Sequence, residues 1–203
     1  MKTASKAISI LFHPLLFTTY LVVILSWWMP HFLLIPASAL WKFTGFVLII
    51  TFVFPVINLF MLRSFGSIAS VEMPERRERI LPFVLITVFY AILSALFFYK
   101  VSMNVNFNKM MLIVVCLTAV ATVITFFFKI SVHSLAMGGA VGILLPLNNV
   151  AGGNLLWPVA GLILLTGLVM SARLYLQAHT LRETLYGTGV GFVTGLTGMT
   201  VLF

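Results

Sequence analysis

The residues best suited to chemistry lie in one polar stretch, Ser171–Glu183, between two long apolar runs. The stretch contains two arginines, one histidine and one of only four acidic residues in the 203-residue chain. His179 and Glu183 are spaced so that a helix containing both would place them on one face. A carboxylate there can hold the imidazole in one tautomer. Because charges at the centre of a membrane helix cost about 2.5–3.5 kcal/mol each, this stretch is the first candidate for a functional site.

Two further polar clusters have the composition needed for phosphate chemistry. Glu72–Pro82 carries three arginines, and Lys129–His133 carries a second histidine. One imidazole can attack phosphorus to form a phospho-histidine, and another can protonate the leaving oxygen. Arginine side chains bind the non-bridging oxygens of a phosphate through paired hydrogen bonds. The combination predicts phosphoryl transfer, which with these groups needs neither a metal nor a cofactor.

The elements that would position these residues are membrane-spanning helices. The chain is 62% apolar and only 8% charged, and a soluble domain cannot bury so much apolar surface. Seven apolar segments of spanning or nearly spanning length lie at roughly 8–29, 42–62, 82–100, 109–129, 133–149, 155–172 and 184–203. We therefore predict an all-α, polytopic membrane helix bundle with about seven transmembrane helices, or else six, formed by a single integral-membrane domain over residues 1–203.

Positive charge is distributed unevenly between the two faces of such a bundle. Alternating spans would bring the N-terminus, the 63–81 connection and the polar junctions 129–133 and 171–183 to one face. Most of the lysines and arginines fall there, so the positive-inside rule predicts that this face is cytoplasmic. We expect a multi-pass protein of a bacterial inner membrane. The net charge of +8 then favours contact with anionic headgroups or phosphates rather than with nucleic acid.

Glycine, proline and cysteine add expectations about the helices. Pro55 should kink the second span. Small residues at close spacing in the fifth and last spans predict tight helix packing; they are Gly138, Gly139, Gly142, Gly187, Gly191 and Gly195. Turn-forming residues between the fifth and sixth spans are Pro146, Asn148, Asn149, Gly152 and Gly153. Cys116, the only cysteine, lies in an apolar run and is predicted to be a small core residue.

The stretch Ser171–Glu183 resembles a motif of the type-2 phosphatidic acid phosphatase family, to which the vanadium haloperoxidases are related. That family carries the motifs K-x6-R-P, P-S-G-H and S-R-x5-H-x3-D. Arg173, His179 and Glu183 reproduce the spacing of the third motif, with glutamate in place of aspartate. Ala172 stands at the position of the motif's serine.

The other two motifs have partial counterparts in this chain. Ser131 and His133 resemble the second motif, with Val132 where that motif has glycine. Arg79, with Pro82 nearby, resembles the end of the first motif, whereas Glu72 stands where its lysine would be. The resemblance covers roughly residues 72–195.

This resemblance implies an integral-membrane phosphatase that hydrolyses a lipid phosphate or lipid diphosphate of the bilayer. It implies that His179 is the nucleophile, His133 the general acid and Glu183 the carboxylate that orients the nucleophile. The resemblance assigns three further residues to binding the substrate phosphate, namely Arg79, Arg173 and Ser131. We infer in addition that Arg76 or Arg77 replaces the missing lysine of the first motif.

The same residues allow other interpretations. The chain could be a lipid or small-molecule transporter, with these side chains along a translocation path, or a lipid-phosphate-binding protein without catalysis. Thr180–Glu183 also has the pattern of a helix capping box, and Ser131 could cap the fifth helix. The two candidate histidines lack the dense ligand spacing of a metal site. His13 and His31 have no charged neighbours in sequence, which favours a structural role for both.

Overall fold

The computed structural model describes residues 2–101, 103–150 and 155–203, and it contains no β-strand within those ranges. In chain order the helices are α1 (Lys2–Leu11), α2 (Phe17–Trp28), α3 (Pro30–Leu33), α4 (Leu40–Leu48), α5 (Phe54–Ser64), α6 (Arg76–Tyr99), α7 (Val105–Phe127), α8 (Val132–Val150), α9 (Leu156–Tyr175) and α10 (Leu181–Leu202). A 3₁₀ turn at Pro14–Leu16 joins α1 to α2, and a π-helical turn at Ile49–Val53 joins α4 to α5. The predicted all-α fold class is confirmed.

Several of these helices have the length and composition of membrane spans. Six stretches of the described chain are long and apolar enough to cross a membrane: Lys2–Trp28, Leu40–Ser64, Arg76–Tyr99, Val105–Phe127, Leu156–Tyr175 and Leu181–Leu202. This finding supports a multi-pass membrane protein. The remaining predicted segment, 133–149, corresponds to α8, a helix of 19 residues that is not among the six. Most side chains of α8 are buried.

The chain forms two compact units. The first comprises Met1–Phe17, Trp27–Met29 and Ile130–Phe203, and the second comprises Thr18–Ser26 and Pro30–Lys129. The first unit therefore holds α1 and the helices α8 to α10, and the second holds α3 to α7. The single domain predicted over residues 1–203 stays a prediction.

Helices α8 and α10 of the first unit pack backbone to backbone. A β-carbon placed on Gly187 would lie 2.6 Å from the Ser131 carbonyl oxygen, and one on Gly191 only 2.0 Å from that of Leu135. One turn further on, a β-carbon on Gly195 would lie 2.3 Å from the Gly139 carbonyl oxygen. These distances leave no room for a side chain, and the contacts advance in the same direction along both helices. The helices are therefore parallel, and the close packing predicted from the glycine spacing is confirmed.

This parallel arrangement determines which ends meet. Helix α9 connects α8 to α10 in sequence, so it must run antiparallel to both. The start of α8, the end of α9 and the start of α10 consequently lie at the same end of the first unit. The main-chain N–H of Ser131 donates to the Glu183 carbonyl at 3.2 Å, which ties the two helix starts together.

Pro55 disturbs the hydrogen bonds of its helix in the second unit, whereas the kink predicted there stays a prediction. Proline has no N–H, so the carbonyl of Thr51, four residues earlier, loses its helical donor. The Tyr90 hydroxyl on α6 donates to that carbonyl instead. The backbone accommodates the missing bond as the π-helical turn that precedes the proline.

Two expectations from the sequence were wrong. Residues 146–149, predicted to form a turn, continue α8, because burial of Leu144 and Leu147 on either side of Pro146 outweighs the local turn preference. Gly152 and Gly153 of the same predicted turn lie outside the described residues. Cys116, predicted in the core, is exposed on α7. Its apolar neighbours were misleading, because side chains that face lipid are as apolar as side chains that face the core.

The glycine contact between α8 and α10 can be tested by adding one methyl group. We expect Gly191→Ala to lower the free energy of unfolding by about 1–3 kcal/mol, because the new β-carbon forces the two backbones apart. Gly189→Ala on the same helix is the matched control, since a β-carbon there meets nothing within 4 Å, and its effect should stay within about 0.5 kcal/mol. Unfolding in mixed micelles, followed by circular dichroism, measures both. Equal stability of the two variants would contradict the packing.

The orientation in the membrane can be tested with single cysteines in a Cys116→Ala background. Ser67→Cys and Gln177→Cys lie at exposed positions of the predicted cytoplasmic face, and Lys42→Cys lies at an exposed position of the predicted opposite face. We expect an impermeant maleimide to label only Lys42→Cys in intact cells, and all three variants after permeabilisation. The reverse pattern would place the polar junctions outside the cytoplasm.

Candidate active site

A histidine and a carboxylate form a short hydrogen bond at the start of α10. His179 Nδ1 lies 2.6 Å from Glu183 Oε2, and the His179 side chain is only 1% exposed. Because an ionised carboxylate only accepts hydrogen bonds, Nδ1 donates, and the lone pair of a neutral ring is then on Nε2. The spacing in the sequence predicted this pair, and the pair forms.

The capping interpretation of the same segment is also correct in part. Thr180 is the N-cap of α10, and its side chain accepts a hydrogen bond from the Glu183 N–H at 3.3 Å. In a complete capping box the glutamate side chain would return to the N-cap N–H. Here the Glu183 carboxylate bonds to His179. One residue thus contributes its main chain to the cap and its side chain to the imidazole.

His133 is the second residue of α8, and it is buried. Its Nε2 lies 3.1 Å from the carbonyl oxygen of Ser9. A carbonyl oxygen can only accept, so Nε2 carries the hydrogen. The other ring nitrogen, Nδ1, is also buried and has no hydrogen-bond partner among the residues that the structure describes.

His13 lies against His133, with ring centroids 5.5 Å apart and ring planes at 80°. Its Nδ1 accepts a hydrogen bond from the Leu15 N–H at 3.3 Å, so it also caps the 3₁₀ turn. Sequence reasoning gave His13 only a structural role. The available signal was its position directly before Pro14, which breaks the helix inside a long apolar run.

Arg173 supplies positive charge from the last turn of α9. Its charge acts electrostatically on both His13 and His133, and His179 is also within electrostatic reach of His133. The Nε of Arg173 is buried and has no hydrogen-bond partner in the described part of the chain. A buried, unsatisfied donor costs about 1–3 kcal/mol, more when charged, and a bound anion would remove that cost.

Ser131 is completely buried at the start of α8. Its hydroxyl oxygen accepts hydrogen bonds from the N–H of Ser134 at 3.3 Å and from the Ser134 hydroxyl at 3.0 Å. The capping role is therefore confirmed, and the hydroxyl retains its own hydrogen for donation. Its role in binding phosphate stays a prediction.

The three arginines that correspond to the first family motif all belong to the second unit. Arg79 is 5% exposed, and its Nε donates to the Met73 carbonyl at 2.8 Å. Arg76 donates to the carbonyls of Thr125 and Phe126 at the end of α7. Arg77 is exposed at the start of α6. Arg76 and Arg79 thus have structural partners within their own unit, and a role in phosphate binding stays a prediction for all three arginines.

The first unit therefore brings together most of the predicted catalytic residues. His133, Arg173, His179 and Glu183 lie at the same end of this unit, His179 bonds to Glu183, and His13 packs on His133. Within the described ranges, no group of three or more histidine, cysteine, aspartate or glutamate side chains is arranged to hold a metal ion. The groups present can donate protons, accept protons and neutralise an anion.

Comparison with known proteins adds no family assignment. The chain matches no protein-family model, no curated protein and no solved structure.

Proposed function

We propose that this protein is an integral-membrane phosphatase that hydrolyses a lipid phosphate or lipid diphosphate through a phospho-histidine intermediate. The observation that carries the proposal is the 2.6 Å hydrogen bond between the buried His179 ring and the partly exposed Glu183 carboxylate. An imidazole oriented by a carboxylate, together with a second imidazole and an arginine at the same end of the unit, can supply the nucleophile, the general acid and the positive charge for phosphoryl transfer. The resemblance to the type-2 phosphatidic acid phosphatase motifs supports the same assignment.

In the first step, Nε2 of His179 attacks the phosphorus atom. The N–P bond forms as the bond between phosphorus and the leaving oxygen breaks. His133, which has taken a proton at Nδ1 from the bound phosphate monoanion, gives that proton to the leaving oxygen. Glu183 stabilises the positive charge that develops on the His179 ring, and Arg173 neutralises the non-bridging oxygens.

In the second step, water attacks the phospho-histidine. His133, now neutral, accepts a proton from the water as the N–P bond breaks, and inorganic phosphate leaves. The departing phosphate takes that proton from Nδ1 of His133, so both histidines return to their initial protonation states. The two half-reactions together consume one water and release a dephosphorylated lipid.

A lipid substrate fits the chemistry of the surroundings. Helices α9 and α10, which carry Arg173 and Glu183, are apolar enough to lie in hydrocarbon, where an acyl or prenyl chain is also most stable. The polar groups gather at one end of the first unit, and we expect a phosphorylated headgroup to bind there. Phosphatidic acid, phosphatidylglycerol phosphate, a polyprenyl diphosphate and a lipid A phosphate form the panel of candidate substrates.

Replacing the proposed catalytic groups should abolish phosphate release by the purified protein in detergent. We expect kcat to fall about a thousandfold or more in His179→Ala, since the nucleophile is lost. His133→Ala should lower kcat by about 10²–10⁴-fold, the usual contribution of a general acid. Arg173→Ala should lower it by about 10²–10³-fold through lost charge stabilisation.

Arg182→Ala is the matched control for Arg173→Ala, because Arg182 is exposed in the first turn of α10. Its activity should equal that of the wild type. Full activity in His179→Ala would refute the covalent mechanism. Retained binding of lipid phosphates by a wild-type protein without turnover on the whole panel would instead support the non-catalytic binder.

The intermediate should also determine which inhibitors act. Vanadate adopts the trigonal-bipyramidal geometry of phosphoryl transfer, so it should inhibit the enzyme by binding at Nε2 of His179. A chelator such as EDTA should leave the rate unchanged, because none of the proposed steps uses a metal. The measurement is phosphate release with each reagent. Loss of activity with EDTA, restored by a divalent cation, would contradict the proposal.

A further inference from the structure

The N-terminal segment contacts His133 in two places, although it contains none of the predicted site residues. The carbonyl oxygen of Ser9 accepts from His133 Nε2 at 3.1 Å. The ring of His13 packs edge-to-face on the ring of His133. Both contacts come from the junction between α1 and the 3₁₀ turn.

The break in the helix makes the Ser9 carbonyl available. In a continuous α-helix, this carbonyl would accept from the N–H of His13, four residues later. That N–H instead bonds to the Ile10 carbonyl at 3.2 Å, as the chain turns ahead of Pro14. The carbonyls of a last helical turn lack helical donors and need other partners. His133 supplies the donor for Ser9.

The turn itself depends on His13. Its Nδ1 accepts the N–H of Leu15 at 3.3 Å, which fixes the turn that follows Ser9. His13 thus acts on His133 in two ways: directly through ring contact, and indirectly by holding the backbone that presents the Ser9 carbonyl.

We propose that the segment Ser9–His13 is a positioning element for His133, which holds the ring with hydrogen on Nε2 and leaves Nδ1 to exchange the proton with substrate. This inference deepens the proposed function and rests on it for its kinetic part. The two imidazoles of the site then work in opposite tautomers. His179 is fixed through Nδ1 by a carboxylate and reacts at Nε2, whereas His133 is fixed through Nε2 by a main-chain carbonyl and reacts at Nδ1.

The tautomer of His133 can be measured without reference to activity. The full chain, labelled with ¹⁵N-histidine in detergent micelles, gives ring-nitrogen signals that distinguish the two tautomers, and His133→Ala identifies which signals belong to His133. In the wild type we expect hydrogen on Nε2. In His13→Ala we expect a mixture of tautomers. In His13→Asn, whose side-chain oxygen can also accept the Leu15 N–H, we expect the wild-type tautomer to return.

Steady-state kinetics provide the second measurement. A misplaced general acid should slow the chemical step more than it weakens substrate binding. We therefore expect His13→Ala to lower kcat about tenfold or more, with KM changed by no more than about twofold. His13→Asn should recover most of the lost kcat. His31→Ala is the matched control, because His31 is an exposed histidine of the second unit.

The outcomes separate this inference from the proposed function. If the wild-type protein shows no turnover but His13→Ala still shifts the His133 tautomer, the phosphatase proposal is refuted and the positioning role is retained. Hydrogen on Nδ1 of His133 in the wild type would overturn the positioning role, whether or not the variants fold. The positioning role would also be overturned if His13→Ala had the same His133 tautomer and the same kcat as the control variant His31→Ala.

Discussion

The arrangement of the first unit depends on one constraint, the backbone contact between α8 and α10. Apolar helices in a bilayer gain little from burying apolar surface, because lipid is as apolar as a neighbouring helix. Dispersion forces and weak polar contacts must hold them, and both require short distances. Glycines on the two facing surfaces permit those distances. The parallel direction of the pair then brings two helix starts together, and with them His133 and His179.

Around that contact, each of three imidazoles is held by a different kind of group. A side-chain carboxylate holds His179, a main-chain carbonyl holds His133, and a main-chain N–H holds His13. The polar atoms that lack partners within the described chain include Nδ1 of His133 and Nε of Arg173. Both atoms need a hydrogen-bond partner, because burying a polar group without one costs free energy. An oxyanion could accept from the guanidinium and from a protonated His133 together.

The sequence predicted the local features well. Hydropathy located the helices, the glycine spacing predicted the contact of α8 with α10, and the i, i+4 spacing predicted the pair His179–Glu183. Features that depend on distant parts of the chain were not predictable in the same way. The contact between His13 and His133 joins segments far apart in sequence, and no local pattern of charge marks it. Arg76 is a second example of a contact that the sequence did not predict. Its position in a charged segment did not reveal that its guanidinium caps the end of α7.

The makeup of α8 has a consequence for how the protein enters the membrane. Its start carries buried polar residues, its middle is rich in glycine, and it is not among the six stretches of the described chain that are apolar enough to span alone. A segment of low hydropathy is held only weakly in the bilayer while the chain is being inserted. Its best packing partner, α10, is synthesised later. We therefore expect α8 to reach its final position only after α10 has been synthesised and has packed against it.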